Sequence, residues 1–172
     1  ESYHYLFMDN PSPMLIWDFE TLKFIECNNE TLKKYGYSRE EFLNLNIKDI
    51  RPEEDIPLIE SFSKSEKAYR KIPPIWRHLK KNGELMYMNI TSNVINFKGR
   101  RAALVHLNDV TEKVKAEGEL LKTYKKLSDY KFTLDESSIV AITDEKGIIN
   151  YVNDNFCNIS KYSAEELIGK DH

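Results

Sequence analysis

The chain has 172 residues, enough for one domain, or for one domain with an appendage. Hydrophobic residues make up 41% and charged residues 31%, so a packed core is expected and wholesale disorder is not. The net charge of −3 leaves no basic excess for phosphate backbones, which argues against nucleic-acid binding. No apolar stretch approaches the roughly 20 residues that cross a bilayer, so no membrane segment is expected here.

The number and spacing of the cysteines indicate the redox compartment. Cys27 and Cys157 are too few for a disulfide framework and lack zinc-site spacing, which predicts a reducing environment. No signal peptide opens the chain, so we expect this region to be cytoplasmic. Whether the parent protein is soluble or membrane-anchored stays open.

An internal repeat with an offset of 125 residues organises the chain. Residues 36–43 and 161–168 share the string Tyr-Ser-x-Glu-Glu, and Asn28 matches Asn153. Upstream the match continues after a one-residue gap, which we place in a turn. We therefore predict one complete unit and the beginning of another, in a piece of a longer protein. The second copy lacks the strands that would cover its core, so we expect it to be poorly ordered or covered by a neighbour.

The first elements of copy one are two short strands joined by a turn, predicted at Met14–Asp18 and Lys23–Cys27. Asn28 or Asn29 is expected to cap a short helix that ends at Gly36. Ser38 then begins a capping box, S-x-x-E, which predicts a second helix. Pro52 and the acidic residues after it predict a third helix. Its inward-facing side chains are predicted to be Ile56, Ile59 and Phe62, although Pro57 falls within it.

A two-residue period follows, which predicts three strands at Ile75–Lys80, Glu84–Ile95 and Arg101–Val110. Asn82-Gly83 predicts a tight hairpin between the first two strands, because both residues tolerate positive φ. In the middle strand Met86, Met88 and Ile90 share one face, while apolar residues also occupy the other face. We therefore expect a core on one side of the sheet, and a partner or a flanking helix on the other.

A long helix is predicted from Thr111 to about Glu136. Leu120, Leu127 and Leu134 recur every seven residues with Tyr124 between them, which is typical of a short coiled-coil seam. A single amphipathic linker helix packed on its own domain fits the same pattern, and the sequence does not decide between the two.

The ordered set of these elements resembles a PAS sensor domain, and it is most similar to those of prokaryotic sensor histidine kinases. The resemblance is carried by Asn28, Gly36–Phe42, Trp76–Gly83 and Asn108–Glu112. It covers about residues 3–114, and again 132–172. It implies an α+β PAS fold in which a five-stranded antiparallel sheet, with short helices on one face, encloses a small pocket. The implied organisation is a PAS domain (1–110), a signalling or coiled-coil helix (111–136) and the N-terminal part of a second PAS domain (137–172).

The resemblance also implies a site. Asp109-Val110-Thr111 is similar to the D-x-T motif that ties the last strand of such domains to the outgoing helix, and Thr111 is equally expected simply to cap that helix. Strand parity suggests Trp76, Met86, Met88 and Ile90 as pocket residues, although a core role suits Trp76 as well.

The resemblance implies where a cofactor-binding residue would lie in this sequence. Haem-binding members supply a histidine from the long helix, and residues 52–71 contain none. Flavin-binding light-oxygen-voltage members carry a reactive cysteine in the segment corresponding to residues 43–51, and none occurs there. Neither haem nor a photoactive flavin is supported, and the cofactor is unknown. A small-molecule ligand stays open.

No nucleophile elbow, phosphate-binding loop, phosphoacceptor histidine or metal-ligand spacing is present, so we expect no catalysis from this chain. The leading hypothesis is a sensory input and signal-relay module of a two-component sensor histidine kinase. The alternatives are a ligand-free PAS spacer that dimerises, and the input domain of a diguanylate cyclase. Expected partners are a second copy, contacted through the linker helix and the PAS surface, and downstream kinase domains of the same chain.

Overall fold

In a computed structural model, the chain is described for residues 4–63 and 75–171, and it divides into two compact units, 1–114 and 115–172. Part of the stretch searched for a haem histidine, residues 64–71, lies outside the described residues. None of the helices within the described ranges has the length and apolar character that crossing a bilayer requires.

The first unit is built on a five-stranded antiparallel sheet in the order β2-β1-β5-β4-β3. The strands are Met14–Asp18 (β1), Phe24–Cys27 (β2), Ile75–Leu79 (β3), Leu85–Phe97 (β4) and Arg100–Asp109 (β5). Each strand predicted for this unit is present, with its ends shifted by at most a residue or two. The chain therefore has the expected α+β architecture, with the last strand in the centre of the sheet.

Short helices connect β2 to β3: Asn29–Tyr35 (α1), Arg39–Asn44 (α2) and Ile56–Ser63 (α3). The Asn28 side chain caps α1 by accepting from the Thr31 amide, and Gly36 ends the helix with φ of +79°. Ser38 forms the predicted capping box with Glu41. The structure confirms these local signals. They can be predicted from sequence because the groups that cap each helix end lie within a few residues of it.

The segment after Pro52 differs from its prediction in one respect. A single 3₁₀ turn, Glu53–Asp55, precedes α3, and the α-helix begins only at Ile56. Pro57 therefore lies in the first turn of α3, where its missing N–H costs nothing. Ile59 is buried as expected, whereas the side chain of Phe62 is outside the described part of the chain.

Apolar residues pack on both faces of the sheet within this unit. The main core lies on the face that carries Trp17 and Met88, and α1 and α2 contribute Tyr35 and Phe42 to it. On the opposite face, Phe7 packs with Ile16 and Ala102. Phe7 belongs to a helical turn at His4–Met8 that the sequence pattern did not predict. This turn covers part of the second face, whereas Asn89, Thr91 and Asn93 on the same face are exposed.

The helix that follows β5 runs over Thr111–Ser137 (α4), and the remaining elements are Ala141–Thr143 (β6), Ile149–Val152 (β7), Asp154–Ser160 (α5) and Ala164–Leu167 (α6). The second copy, expected to be poorly ordered, thus forms an antiparallel hairpin and two capped helices. Among its described residues only Ile149, Val152 and Asn153 are buried. Most of its apolar surface is therefore open.

The two copies share details that the sequence match indicated. Asn153 caps α5 as Asn28 caps α1, and each hairpin has a register shift at the corresponding place. An isolated β-bridge joins Lys23 to Asn46, and a second one joins Ile148 to Asp171. The two residues of each bridge are the same distance apart in sequence. The residue missing from the second copy falls in the turn after the first strand, as placed from the sequence.

Candidate functional site

A small cavity of about 30 Å³ lies inside the first unit. Its wall combines residues of the sheet with residues of the helical segment between β2 and β3, and most of them are aliphatic or aromatic. The polar members are Arg51, His78 and Ser92. A volume of this size holds about two water molecules, since one needs roughly 10–15 Å³ by this measure.

The four predicted pocket residues divide into two pairs. Trp76 and Ile90 line the cavity, whereas Met86 and Met88 do not. Both methionines are buried in the adjoining core, where Met88 lies opposite Trp76 and Met86 opposite His78 in the β3–β4 ladder. Strand parity identifies the face on which a residue lies, but it does not say where along the strand a cavity opens.

Arg51 is a cavity residue that the sequence did not single out. Its side chain is buried, and its guanidinium carbon lies 4.4 Å from the centre of the Trp76 ring. Among the residues that the structure describes, Nε and Nη1 of Arg51 have no hydrogen-bond partner. Burial lowers the pKa of this guanidinium to about 10, so it keeps its positive charge at neutral pH.

His78 lies beside this charge. Its Nδ1 is 2.5 Å from the Tyr35 hydroxyl. Burial lowers the pKa of His78 well below its usual value, as does the positive charge of Arg51, and burial raises the pKa of Tyr35. Both side chains are therefore neutral. His78 shares its strand parity with Trp76, a signal that could have placed it on the inner face.

The tautomer of His78 is assigned from its contact with Tyr35. The buried Tyr35 hydroxyl needs an acceptor for its proton and Nδ1 is the one that the described residues offer, so we assign the donor role to Tyr35 and the ring proton of His78 to Nε2. Nε2 is buried and has no partner within the described chain. Arg51 and His78, which both line the cavity, thus each have a buried nitrogen without a hydrogen-bond partner among the described residues.

The predicted junction residues, Asp109 and Thr111, lie in direct contact. Oδ1 of Asp109 accepts from the backbone amide of Thr111 at 2.9 Å and from its hydroxyl. The Thr111 hydroxyl accepts in turn from the Tyr87 amide of β4 at 2.9 Å. The carboxylate therefore satisfies a first-turn amide of α4, whereas the hydroxyl binds the sheet rather than capping the helix.

Lys34 of α1 completes this junction by pairing with Oδ2 of Asp109 at 2.8 Å. Partial burial opposes ionisation of Asp109, but the bonds from Lys34 and Thr111 outweigh it and lower the pKa of the carboxyl group. One ionised side chain thus links α1, β5 and the start of α4.

The predicted seam residues of α4 are exposed: Leu120, Tyr124, Leu127 and Leu134 have exposed fractions of 51–71%. Tyr124, Leu127 and Leu134 also border an open groove of about 620 Å³, together with Val140, Ile142 and Tyr151 of the following segment. Leu120 does not border it. The pairing of these residues with a second helix stays a prediction.

Two further features bear on the chemistry of the chain. Cys27 is fully buried, and burial raises the pKa of its thiol to about 11. In the described ranges, no group of three or more histidine, cysteine or acidic side chains is arranged to hold a metal ion.

Comparison with known proteins defines the family. Residues 11–112 match the PAS domain family, and residues 135–171 match the PAS fold. No curated protein sequence matches the chain.

Several solved PAS domain structures are similar to this chain. The PAS domain of a protein from Colwellia psychrerythraea is 19% identical, with 64% of this chain and 96% of that chain covered and a TM-score of 0.53. The PAS domain of an HTR-like protein from Haloarcula marismortui is 16% identical, with coverages of 63% and 88% and a TM-score of 0.53. A PAS domain from a two-component sensor histidine kinase is 19% identical, with coverages of 63% and 93% and a TM-score of 0.49. The sequence match over residues 11–112 shows that this chain belongs to the PAS domain family, and the sheet order and the helix caps agree with it.

Proposed function

We propose that the first unit is a sensory input domain, which passes a change at its cavity to α4 through Asp109 and Thr111. The observation that carries this proposal is the hydrogen bond from the Tyr87 amide to the Thr111 hydroxyl, because it joins the sheet to the first residue of the helix. A shift of β4 relative to β5 changes the position of that acceptor.

The cavity and the junction share their strands. Ile90 of β4 and Leu107 of β5 face each other in the ladder, and both line the cavity. Asp109 follows Leu107 by two residues, and Tyr87 precedes Ile90 by three. A ligand that separates these strands at the cavity therefore acts within one or two residue pairs of the junction. The resulting shift is limited by the difference in the ligand's affinity for the two states.

The output that we propose is a histidine kinase later in the same chain, with residues 137–172 as the next PAS domain in series; a diguanylate cyclase is the alternative. In this proposal the present chain has no catalytic role. A second copy pairs along Leu120, Tyr124, Leu127 and Leu134, which removes their exposed apolar surface from water.

A ligand-free spacer is the second candidate function. The size of the cavity favours it, because room for about two water molecules leaves no space for a large metabolite. In a spacer, a change at the cavity has no effect beyond the core.

Hydrogen–deuterium exchange separates the two functions. Val105→Ile adds one methyl group at the cavity wall, whereas Val94→Ile makes the same change at a half-exposed position away from it. A relay predicts that only Val105→Ile alters exchange in residues 112–120, and that Thr111→Val abolishes the effect. Increased stability of Val105→Ile, without altered exchange in α4, would show that the methyl group fills the cavity and that no relay exists.

The dimer is tested by light scattering coupled to gel filtration. Leu120→Glu with Leu127→Glu is expected to convert a dimer into a monomer. Leu121→Glu, an equally exposed leucine beside the seam, is the matched control and is expected to leave the dimer intact. A wild-type chain that is already monomeric refutes the seam.

A further inference from the structure

We propose that the cavity of the first unit binds a short-chain monocarboxylate, whose oxygens accept hydrogen bonds from the Arg51 guanidinium and from Nε2–H of His78. This inference rests on the sensory role proposed above, since it names the class of ligand. Neither residue belongs to the junction that carries the relay.

Among the described residues, Arg51 carries a buried charge without a directly paired anion. Only 8% of this residue is exposed, and its Nε and Nη1 have no hydrogen-bond partner there. The charge of Asp55 favours the ionised form of Arg51, but both oxygens of Asp55 accept from Arg77, at 2.9 and 2.6 Å. Because a buried cation is stabilised by direct pairing with an anion, an anionic ligand would supply what the described residues do not.

The nitrogen donors of Arg51 and His78 suit a carboxylate. A guanidinium presents several N–H groups in a fixed plane, which match the two oxygens of a carboxylate. His78 adds a neutral donor from the sheet side, because Tyr35 occupies its other ring nitrogen. A doubly charged anion such as sulfate fits less well, since Arg51 is the only cationic side chain that lines the cavity in the described residues.

The size and polarity of the cavity favour a small ligand with an apolar tail. Apart from its polar members, the cavity wall is formed by side chains such as Leu15, Ile59 and Leu107. The volume of about 30 Å³ holds about two water molecules, which is less than acetate occupies, so the wall must move to admit a carboxylate and must move further for each added carbon. Acetate and propionate are therefore the probes of choice, and hexanoate is expected to bind more weakly.

Binding is measured on the whole 172-residue chain by thermal unfolding and tryptophan fluorescence, because both tryptophans, Trp17 and Trp76, line the cavity. Propionate is expected to raise the unfolding temperature saturably. Propionamide, and sodium chloride at equal ionic strength, are expected to have no such effect. Equal stabilisation by chloride or by propionamide would overturn the assignment of a carboxylate with an apolar tail.

Variants assign the site. Arg51→Met removes the charge with a side chain of similar length and is expected to weaken propionate binding roughly tenfold to a hundredfold. Arg100→Met, at an exposed arginine outside the cavity wall, makes the same change in net charge and is expected to leave binding unaltered. Similar losses in both variants would show that the ion binds elsewhere.

A readout without substitution covers the case in which Arg51→Met fails to fold. Nuclear Overhauser effects between the propionate methyl group and the Trp76 indole protons are expected in the wild-type chain. Their absence at saturating propionate refutes the site.

The same experiments separate this inference from the relay. Propionate binding that depends on Arg51, with no altered exchange in residues 112–120, supports the ligand and refutes the relay. No propionate binding, combined with the predicted effect of Val105→Ile on α4, refutes the ligand and leaves the relay intact.

Discussion

Replacing Thr111 with valine tests how strongly the sheet holds the start of α4. Valine keeps the shape and the β-branching of threonine and replaces the hydroxyl with a methyl group. That hydroxyl accepts from the Tyr87 amide at 2.9 Å and donates to Asp109. The amide of residue 111 still donates to Asp109 in the variant, so the carboxylate keeps its bond to the first turn of the helix.

The expected cost is about 2 kcal/mol. A partly buried backbone amide left without an acceptor costs roughly 1–3 kcal/mol, and the lost bond to an ionised carboxylate adds to this. If Thr111 acted only as a helix cap, the expected loss would be nearer 1 kcal/mol. Thr111 is buried, so water does not readily replace the hydroxyl.

The assay is urea unfolding followed by tryptophan fluorescence. Both tryptophans lie in the first unit, so the signal reports the stability of that unit. Thr91→Val is the control, because Thr91 is an exposed threonine of β4 in the same unit. We expect this control to change the free energy of unfolding by less than about 0.5 kcal/mol. A Thr111→Val variant as stable as the Thr91→Val control would refute the reasoning.

Three further predictions concern other parts of the chain. Asn28→Ala is expected to lower the free energy of unfolding by about 3 kcal/mol, because it removes a helix cap and leaves the Met14 amide and two backbone carbonyls without this partner. Urea unfolding measures this loss. The control Asn153→Ala alters the second unit and should leave the tryptophan transition unchanged. The pKa of Asp109 is lowered in the folded chain, so the ionised carboxylate stabilises the fold fully above the ordinary pKa of 3.8, and this stabilisation is lost as the pH falls below it. Asp109→Asn should therefore reduce the loss of stability below about pH 4. An acid-unfolding profile unchanged by the substitution would contradict this. Burial raises the pKa of Cys27 to about 11, so iodoacetamide at pH 8 should label Cys157 and leave Cys27 unmodified in the native chain, as read by mass spectrometry.

The features that the sequence predicted well are local ones. The sequence predicts helix ends at Asn28 or Asn29, Gly36 and Ser38, and the structure selects Asn28, because a cap involves groups that lie within a few residues of one another. The strands could be predicted because their apolar residues alternate with a period of two. The repeat was found by direct comparison of residues, and its turn, caps and bridges lie at equivalent positions in the structure.

The candidate site was only partly predictable. Trp76 and Ile90 line the cavity, but Met86 and Met88, assigned by the same parity, fill the neighbouring core. A period of two identifies a face of the sheet. The position of a cavity on that face depends on which helical side chains pack against it.

Tertiary structure alone decided the chemistry of the cavity. Arg51 is a residue type that is almost always exposed, and nothing in its neighbours in sequence indicates burial. Tyr35 and His78 are 43 residues apart, and only the folded sheet brings the hydroxyl to the ring nitrogen. The turn at His4–Met8 packs on part of the opposite face of the sheet, again through residues that are distant in sequence. Local patterns therefore determined the elements and their ends, whereas burial and charge at the site followed from contacts between distant parts of the chain.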